Sequence, residues 1–254
     1  MQQFVGQVLE VEPLGASQAI LWLAAPSLSR MTSGQFVMAR CGDGYDPLMR
    51  RALSLHHAAR DDGALGFLFG RGKTWSDWLA GRRPGDPIDL IGPLGRGFRR
   101  DRNARHLLIV AEGMGIAPMV ALAEEGIAAN CAVTVVADAP TAGQLYPIER
   151  LPAEVEVVAL TADGSAGRRG RSIDGFAELL GWADQAFVAG SNRLLDDIRA
   201  TLKRQVSRTP VQAIVEERMA CGVGACLGCV VFTAEGPVAS CVAGPVFDLW
   251  SLAP

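Results

Sequence analysis

The chain has 254 residues, of which 49% are hydrophobic and 20% charged, and its formal net charge is −3 at pH 7. That length allows one large domain or two to three smaller ones with real cores. The slightly acidic balance excludes the global basic field of a nucleic-acid-binding protein. No apolar stretch reaches the roughly 20 residues that a membrane span needs, and the N-terminus lacks the features of a signal peptide. We therefore expect a cytoplasmic protein with no nucleic-acid or membrane partner.

Residues 1–101 are predicted to form an antiparallel β-barrel. Six short apolar or alternating runs follow one another at fairly regular spacing, with turn residues between them, as is typical of barrels. These runs are 4–11, 19–23, 35–39, 52–55, 65–69 and 87–91. One helix is expected to interrupt them at residues 74–79.

Residues 102–210 are predicted to form a Rossmann-like α/β domain, because strands and helices alternate as in a doubly wound parallel sheet. Continuous apolar runs indicate buried parallel strands at 106–111, 132–137, 155–160 and 185–189. Helices are expected at 116–125, 176–180 and 191–205, the last with Ser191 or Asn192 as its N-cap. Residues 211–254 form a third, small unit that is too short to fold alone without a bound group.

Four cysteines in the third unit follow the pattern Cys221-x4-Cys226-x2-Cys229-x11-Cys241. This spacing matches plant-type [2Fe–2S] ligation. Three glycines among residues 221–229 allow the backbone to curl tightly and to aim amide groups at cluster sulfurs. The four cysteines are therefore the predicted metal ligands.

Two other chemistries use cysteines and are weighed against the cluster. Zinc favours paired C-x2-C knuckles, and only one pair here has that spacing. Disulfides form in oxidising compartments, which the N-terminus does not indicate. Cys41 and Cys131 are isolated in the sequence and are predicted to be structural.

Three segments are candidates for binding phosphate groups. The turn Gly113-Met114-Gly115 follows a strand and opens a helix; a tight turn without a ligand is the alternative. Arg50 to Ser54 offers guanidinium and hydroxyl donors, although an ordinary solvated arginine pair explains it as well. Gly70 to Thr74 precedes the predicted helix, and a hairpin turn is its alternative. No nucleophile elbow or histidine metal pattern occurs, so no residue is assigned a catalytic role.

The order of barrel, α/β domain and cysteine unit resembles the ferredoxin–NAD(P) reductase superfamily. More narrowly, the whole chain resembles the electron-transfer subunits (PyrK family) of NAD-dependent type 1B dihydroorotate dehydrogenases. The most specific residues are 217–229, with Cys241 and the Gly-Pro-Val-Phe segment 244–247. Supporting segments are 46–54, 92–98 and 161–165.

The resemblance implies three cofactors and a partner. FAD would lie on the barrel, held by Arg51, Ala52, Leu53, Ser54, Phe67, Leu68, Phe69, Gly72, Lys73 and Thr74. NAD(H) would bind the α/β domain near Gly113, Gly115, Asp163 and Ser165. A catalytic subunit with FMN and the orotate site would complete a heterotetramer. Electrons from dihydroorotate would then pass from FMN through the [2Fe–2S] cluster and FAD to NAD⁺, in pyrimidine biosynthesis.

The chain departs from the family pattern mainly on the NAD side. Glu112 replaces the first glycine of the usual Gly-Gly-x-Gly turn, and Ala189-Gly190-Ser191 replaces a Cys-Gly-Pro turn. The flavin strand reads Arg51-Ala52-Leu53-Ser54 where Pro or an aromatic residue is common. These departures keep two alternatives open: a reductase subunit of another oxidoreductase complex, or a redox module with weakened NAD binding.

Overall fold

The computed structural model describes residues 2–45, 47–58, 63–215 and 217–253. Its N-terminal part is a six-stranded antiparallel sheet. Its elements are β1 (Gln2–Leu14), β2 (Gln18–Ala24), β3 (Phe36–Ala39), β4 (Arg51–Ser54), β5 (Ala64–Gly70), α1 (Thr74–Ala80) and β6 (Pro87–Leu94). The strand order is β4-β3-β6-β1-β2-β5. All six predicted strands and the predicted helix are confirmed. Asp46 of the sequence motif lies outside the described residues.

The two edge strands of this sheet meet just beyond β4. The His56 amide donates to the Gly66 carbonyl at 2.9 Å, and the Gly66 amide donates to the His57 carbonyl at 3.2 Å. These bonds curl the sheet towards a closed barrel, which protects its edges. Leu21, Phe67 and other fully buried side chains fill the interior.

The middle of the chain alternates strands and helices, as predicted. Its elements are β7 (His106–Glu112), α2 (Met119–Ala128), β8 (Ala132–Ala139), β9 (Glu156–Thr161), β10 (Arg168–Arg169), α3 (Ser172–Leu179), β11 (Gln185–Ala189) and α4 (Asn192–Arg204). β7, β8, β9 and β11 pair in parallel. Ser191 is the N-cap of α4, and its hydroxyl accepts a hydrogen bond from the Leu194 amide at 3.3 Å, which confirms the predicted cap.

The C-terminal residues contribute to the α/β sheet as well as forming the cysteine unit. Their elements are β12 (Val211–Ile214), β13 (Val230–Thr233), β14 (Gly236–Ala239), α5 (Ser240–Ala243) and β15 (Val246–Asp248). The full sheet runs β10-β9-β8-β7-β11-β12-β15, and β13 pairs only with β14. Residues 211–214, at the start of the predicted third unit, therefore pair in parallel with β11, and Val211 and Ala213 pack in the core of the α/β sheet.

One helix begins later than the sequence predicts. Residues Gly113–Ile116 form a 3-10 turn, and α2 begins at Met119, directly after Pro118. A proline lacks an amide donor and is tolerated at the start of a helix, so Pro118 marks the boundary. None of the helices within the described residues is long and apolar enough to cross a membrane.

Candidate functional site

The predicted metal ligands come from one loop and one short helix. Residues 221–229 turn tightly between β12 and β13, and Cys241 lies in α5. The loop has left-handed backbone at Gly222 (φ +72°), Gly224 (φ +80°) and Leu227 (φ +56°). Glycine adopts this region with little steric cost, so the loop's shape requires two of its three glycines.

Backbone amides of this loop point at the thiol sulfurs. Val223 and Cys226 donate to Cys221 Sγ (3.4 and 3.5 Å), Gly228 donates to Cys226 Sγ (3.4 Å), and Gly224 donates to Cys241 Sγ (3.2 Å). The Val223 amide is the largest influence lowering the pKa of Cys221 to about 6. Burial raises the pKa of Cys241 to about 11. The loop amides thus favour negative charge on Cys221, as a thiolate ligand requires, whereas burial opposes it at Cys241.

The four thiols influence one another in pairs. The Cys226 side chain helps to lower the pKa of Cys221, and the Cys229 side chain helps to raise the pKa of Cys241. Across the described part of the chain, no three His, Cys, Asp or Glu side chains converge tightly enough to hold a single metal ion. A two-iron cluster divides its four ligands between two irons, so paired thiols with amide donors fit such a cluster better than a mononuclear zinc site.

The cysteine loop is seated directly on the barrel. Cys229 and Cys241 are each 1% exposed and pack with Phe36 and Met38 of β3. A Cβ at Gly222 would lie 2.4 Å from Met38 Cγ, well inside contact distance. The absence of a side chain at residue 222 therefore lets the loop approach the barrel strand.

A cavity of about 500 Å³ opens where the three parts of the chain meet. The predicted flavin-binding residues that line it are Ala52, Leu53, Ser54, Leu68, Phe69 and Lys73. The α/β domain and the cysteine unit form the opposite walls. This size and composition suit a flat, largely apolar ring with an anionic tail.

The remaining predicted flavin-binding residues differ in their surroundings. The Gly72 amide donates to Asp77 Oδ1 at 3.2 Å, and Thr74 is the first residue of α1. Phe67 is fully buried among the side chains of the barrel core, and it does not line the cavity. Its role is therefore to support the strand that carries Leu68 and Phe69.

Two adjacent arginines at the start of β4 behave differently. Arg50 is satisfied, with Nη2 donating to Asp89 Oδ2 at 2.6 Å and Nη1 donating to the Asp89 carbonyl at 2.8 Å. Arg51 has a buried Nε with no hydrogen-bond partner among the described residues. Its guanidinium carbon lies 6.0 Å from the centre of the Trp75 ring, which lines the cavity. An unpartnered buried donor is costly, so Arg51 fits an anionic ligand such as a flavin pyrophosphate.

The predicted nucleotide turn lies at the point where the strand order of the α/β sheet reverses. β7 and β11 are neighbours, and the chain leaves them in opposite directions. A Cβ at Gly115 would lie 2.4 Å from the Ala189 carbonyl oxygen, so glycine lets the two turns touch. Ligands of open α/β sheets bind in this crevice, outside the carboxyl ends of the strands.

Glu112 accepts a hydrogen bond from a backbone amide at this crevice. Its Oε2 accepts a hydrogen bond from the Ser191 amide at 2.7 Å, at the start of α4. The carboxylate therefore uses a backbone amide that faces the crevice and adds negative charge beside it. The sequence indicates the unfavourable charge but not the hydrogen bond.

Asp163 and Ser165 lie in the loop after β9, two strands from Gly113 at the same edge of the sheet. Asp163 Oδ1 accepts bonds from the Ser165 hydroxyl (2.6 Å) and the Ser165 amide (2.9 Å), and these bonds lower the pKa of Asp163. The Ser165 hydroxyl also accepts from the Ala142 amide at 2.8 Å. The loop is thus ordered by its own hydrogen bonds.

Several cavity residues escape sequence reasoning. Met114, Ala117 and Pro118 belong to the predicted nucleotide turn and its extension, yet they line the same cavity as Ser54. Glu217 and Met219 enter it from the cysteine unit, and Trp75 of α1 lines it too. The Gly113 turn lies where the strand order of the α/β sheet reverses. That position is the one signal that could have predicted a contact between this turn and another domain.

Comparison with known proteins gives consistent relatives. Residues 216–253 match the family described as the iron-sulfur cluster binding domain of dihydroorotate dehydrogenase B. The chain is 34% identical over 257 residues to the dihydroorotate dehydrogenase B (NAD(+)) electron transfer subunit of Desulforamulus reducens, covering 98% of this chain and 97% of that one. The subunit of the same name from Bacillus caldolyticus is 34% identical over 219 residues, 84% of each chain.

A solved structure supports the same fold. The NADH-dependent reduced ferredoxin–NADP oxidoreductase, described in connection with flavin-based electron bifurcation, superposes with a TM-score of 0.83 at 23% identity. The match covers 98% of this chain and 89% of that chain. The fold is thus that of ferredoxin reductases. With the near-full-length identity to the curated relatives, this chain belongs to the family of electron transfer subunits of dihydroorotate dehydrogenase B (NAD(+)).

Proposed function

We propose that the chain is the electron-transfer subunit of an NAD-dependent dihydroorotate dehydrogenase, carrying electrons from an FMN-containing catalytic subunit to NAD⁺. When bound, a [2Fe–2S] cluster exchanges single electrons and FAD exchanges single electrons or hydride, so together they join one-electron and two-electron chemistry. The observation that carries the proposal is the junction cavity. Ser54 and Phe69 from the barrel face Met219 from the cysteine unit and Met114 from the α/β domain across one space.

The ligand set on the cysteine unit is Cys221, Cys226, Cys229 and Cys241. Its paired thiols and four amide donors support cluster binding, because amides pointing at sulfur stabilise the negative charge of a bound cluster. The packing of the cysteine loop on β3 holds this ligand set against the barrel. We divide the chain into a FAD barrel at 1–101, an NAD domain at 102–210 and a cluster unit at 211–254.

FAD is proposed to fill the cavity, with its ring against residues 52–54, 68 and 69, which Phe67 supports from the core, and its phosphates near Arg51 and residues 72–74. The unpartnered Arg51 Nε supports this assignment, as does Lys73 at the cavity wall. Opposite charges at these positions neutralise a pyrophosphate, and the apolar strands exclude water from the ring.

NAD(H) is proposed to bind at the carboxyl edge of the α/β sheet, with Gly113 and Gly115 at its phosphates and Asp163 and Ser165 at its far end. Gly113 has a left-handed φ of +55°, and a Cβ there would meet nothing within 4 Å. That open space supports close approach of a ligand to the backbone. The 3-10 turn at Gly113 faces the cavity, so a nicotinamide there would approach the flavin site.

The catalytic partner is proposed to cover the exposed side of the cysteine loop. Leu227 and Val242 are large apolar side chains that are 63% and 52% exposed, and Val242 packs beside Gly224 of the loop. Exposed apolar residues around a redox site are typical of a protein interface. We propose a heterotetramer of two subunits of each kind in the cytoplasm.

A second candidate is a redox module or a reductase subunit of another complex, with weakened NAD binding. The bond between Glu112 and the Ser191 amide favours it, because a nucleotide phosphate would have to compete with a carboxylate for this edge. Under this candidate the flavin and cluster sites keep the roles proposed above, and only the nicotinamide side changes.

The test is to purify the chain with its native partner and to add dihydroorotate and NAD⁺ without oxygen. We expect NADH to form, with flavin absorbance and the electron paramagnetic resonance signal of a [2Fe–2S] cluster in the complex. A complex that reduces NAD⁺ from a different donor, but not from dihydroorotate, would favour the second candidate. A preparation with neither flavin nor cluster after anaerobic reconstitution would contradict both.

A further inference from the structure

His56 is a fully buried histidine that joins the barrel to the α/β domain. It lies two residues beyond β4 and is 0% exposed. Its Nδ1 lies 2.8 Å from the Ala117 carbonyl oxygen, and its Nε2 lies 3.1 Å from the Tyr146 hydroxyl. One barrel side chain therefore bonds two separate segments of the neighbouring domain.

The partners determine which nitrogen of His56 carries the proton. A carbonyl oxygen only accepts, so Nδ1 donates to Ala117; Nε2 then has a free lone pair and accepts from the Tyr146 hydroxyl. Burial lowers the pKa of His56 to about 3 and raises the pKa of Tyr146. Both groups therefore stay neutral at ordinary pH, and the two hydrogen bonds of His56 keep the same donors and acceptors.

The bond from His56 to Ala117 joins a barrel segment to an α/β segment, and these two segments line opposite walls of the junction cavity. Ser54, on the same strand segment as His56, lines the cavity from the barrel, and Ala117 and Pro118 line it from the α/β domain. Ala117 also ends the turn that begins at Gly113. The bond from His56 to Ala117 therefore sets the separation between the proposed flavin strand and the proposed nucleotide turn.

The polar contacts that α2 makes with the barrel through Glu124 and Glu125 lie away from the cavity. Along α2, Glu124 Oε1 lies 2.5 Å from His57 Nδ1, and Glu125 accepts bonds from the Ser33 amide (2.9 Å) and hydroxyl (2.8 Å). None of these side chains lines the cavity. They can hold the domains together, but they do not bond the turn itself.

We propose that His56, braced by Tyr146, is a positioning residue that holds the Gly113–Ala117 turn against the flavin strand for hydride exchange between NAD(H) and FAD. The inference rests on the proposed function for its hydride step, in which the hydride leaves the nicotinamide C4 and is accepted by the flavin. His56 touches neither reactant; it acts through the carbonyl of Ala117. Hydride transfer is sensitive to small displacements, since about 1 Å can cost about 100-fold in rate.

The test compares Tyr146→Phe with Ser33→Ala in the FAD-loaded protein. Each variant removes one hydroxyl that donates across the domain interface, but only Tyr146 acts on His56. We expect Tyr146→Phe to slow the limiting rate of flavin reduction at saturating NADH about 5- to 50-fold, with the apparent Kd for NADH within about threefold. Ser33→Ala should leave both values within about twofold. His56→Asn keeps a donor for Ala117 and should lie between wild type and His56→Leu.

A second measurement is independent of turnover. Hydrogen–deuterium exchange should be faster at residues 113–120 in Tyr146→Phe and His56→Leu, with no change at β2 or β6. If wild type is reduced by NADH and Tyr146→Phe is reduced equally fast, or if Ser33→Ala is slowed as much, the positioning role is overturned while the proposed function stands. If wild type is not reduced by NADH, the proposed function fails. The exchange data then decide alone: unchanged exchange at residues 113–120 overturns the role, and faster exchange confined there supports it.

Discussion

The cysteine loop and the nucleotide edge of the α/β sheet use their hydrogen-bond donors in opposite ways. In the loop, the amides of Val223 and Cys226 point at the Cys221 sulfur, whose lowered pKa favours negative charge. At the nucleotide edge, the Ser191 amide is bonded to Glu112 and the Ser165 donors are bonded to Asp163. The loop donors point at the sulfurs that are proposed to bind the cluster, whereas the donors at the nucleotide edge are bonded to carboxylates of the chain itself.

This difference agrees with how long the proposed ligand of each region stays bound. A cluster and a flavin stay bound through many turnovers, so donors without another partner, such as Arg51 Nε, add to their affinity. A nicotinamide must arrive and leave in each turnover. A ligand that has to displace internal bonds gains only the difference between the two sets of bonds, and we therefore expect weak, rapidly exchanging NAD(H).

The largest effect is expected at the cysteine loop. Cys229→Ala removes a buried proposed ligand, so we expect the iron content and the visible cluster absorbance to fall at least about tenfold, because three thiolates hold a two-iron cluster poorly. Cys131→Ala is the matched control, since Cys131 is also a buried free cysteine but lies in the α/β domain. Iron measured per chain gives the result. Equal iron in the two variants would contradict the ligand assignment.

The adjacent arginines of β4 test the flavin wall. Arg51→Met should weaken FAD binding about 10- to 100-fold, as expected for losing a charged hydrogen bond of about 1.5–3 kcal/mol. Arg50→Met should leave FAD affinity nearly unchanged and lower the free energy of unfolding, because Arg50 bonds Asp89. Fluorescence titration of the apoprotein with FAD and urea unfolding separate the two outcomes. A reversal of these roles would place the flavin phosphates elsewhere.

Glu112 tests the nucleotide edge. Glu112→Ala removes both the carboxylate charge and its bond to the Ser191 amide, so we expect NADH to bind about 3- to 30-fold more tightly. Glu112→Gln keeps an acceptor for the amide and removes only the charge, and should show part of the gain. Flavin bleaching against NADH concentration measures both. Unchanged or weaker NADH binding in Glu112→Ala would show that this bond supports the site.

The sequence predicts local features of this molecule well and long-range ones poorly. The six barrel runs and the Ser191 cap depend on neighbouring residues, and both are confirmed in the fold. The His56 contacts with Ala117 and Tyr146 span 61 and 90 residues, so no local pattern contains them. The parallel pairing of residues 211–214 with β11 is hidden from the sequence for the same reason, since it joins segments that are distant in the chain.

The smallest effect is expected at the Asp163 loop. Ser165 holds the pKa of Asp163 below its usual range by donating its hydroxyl and amide to the carboxylate. A carboxyl group with a lowered pKa in the folded state stabilises the fold above its unfolded pKa of about 3.9, and this contribution is lost as the pH falls through the folded value. Ser165→Ala should therefore raise the pKa of Asp163 towards normal, weaken NADH binding less than about threefold at pH 7, and destabilise the fold less as the pH falls through the folded pKa of Asp163. Carbon-13 NMR titration of the aspartate carboxyl groups measures the shift. An unmoved Asp163 pKa would mean that the Ser165 amide, not the hydroxyl, holds the carboxylate, and the contrast with the cysteine loop would then be smaller than the hydrogen bonds indicate.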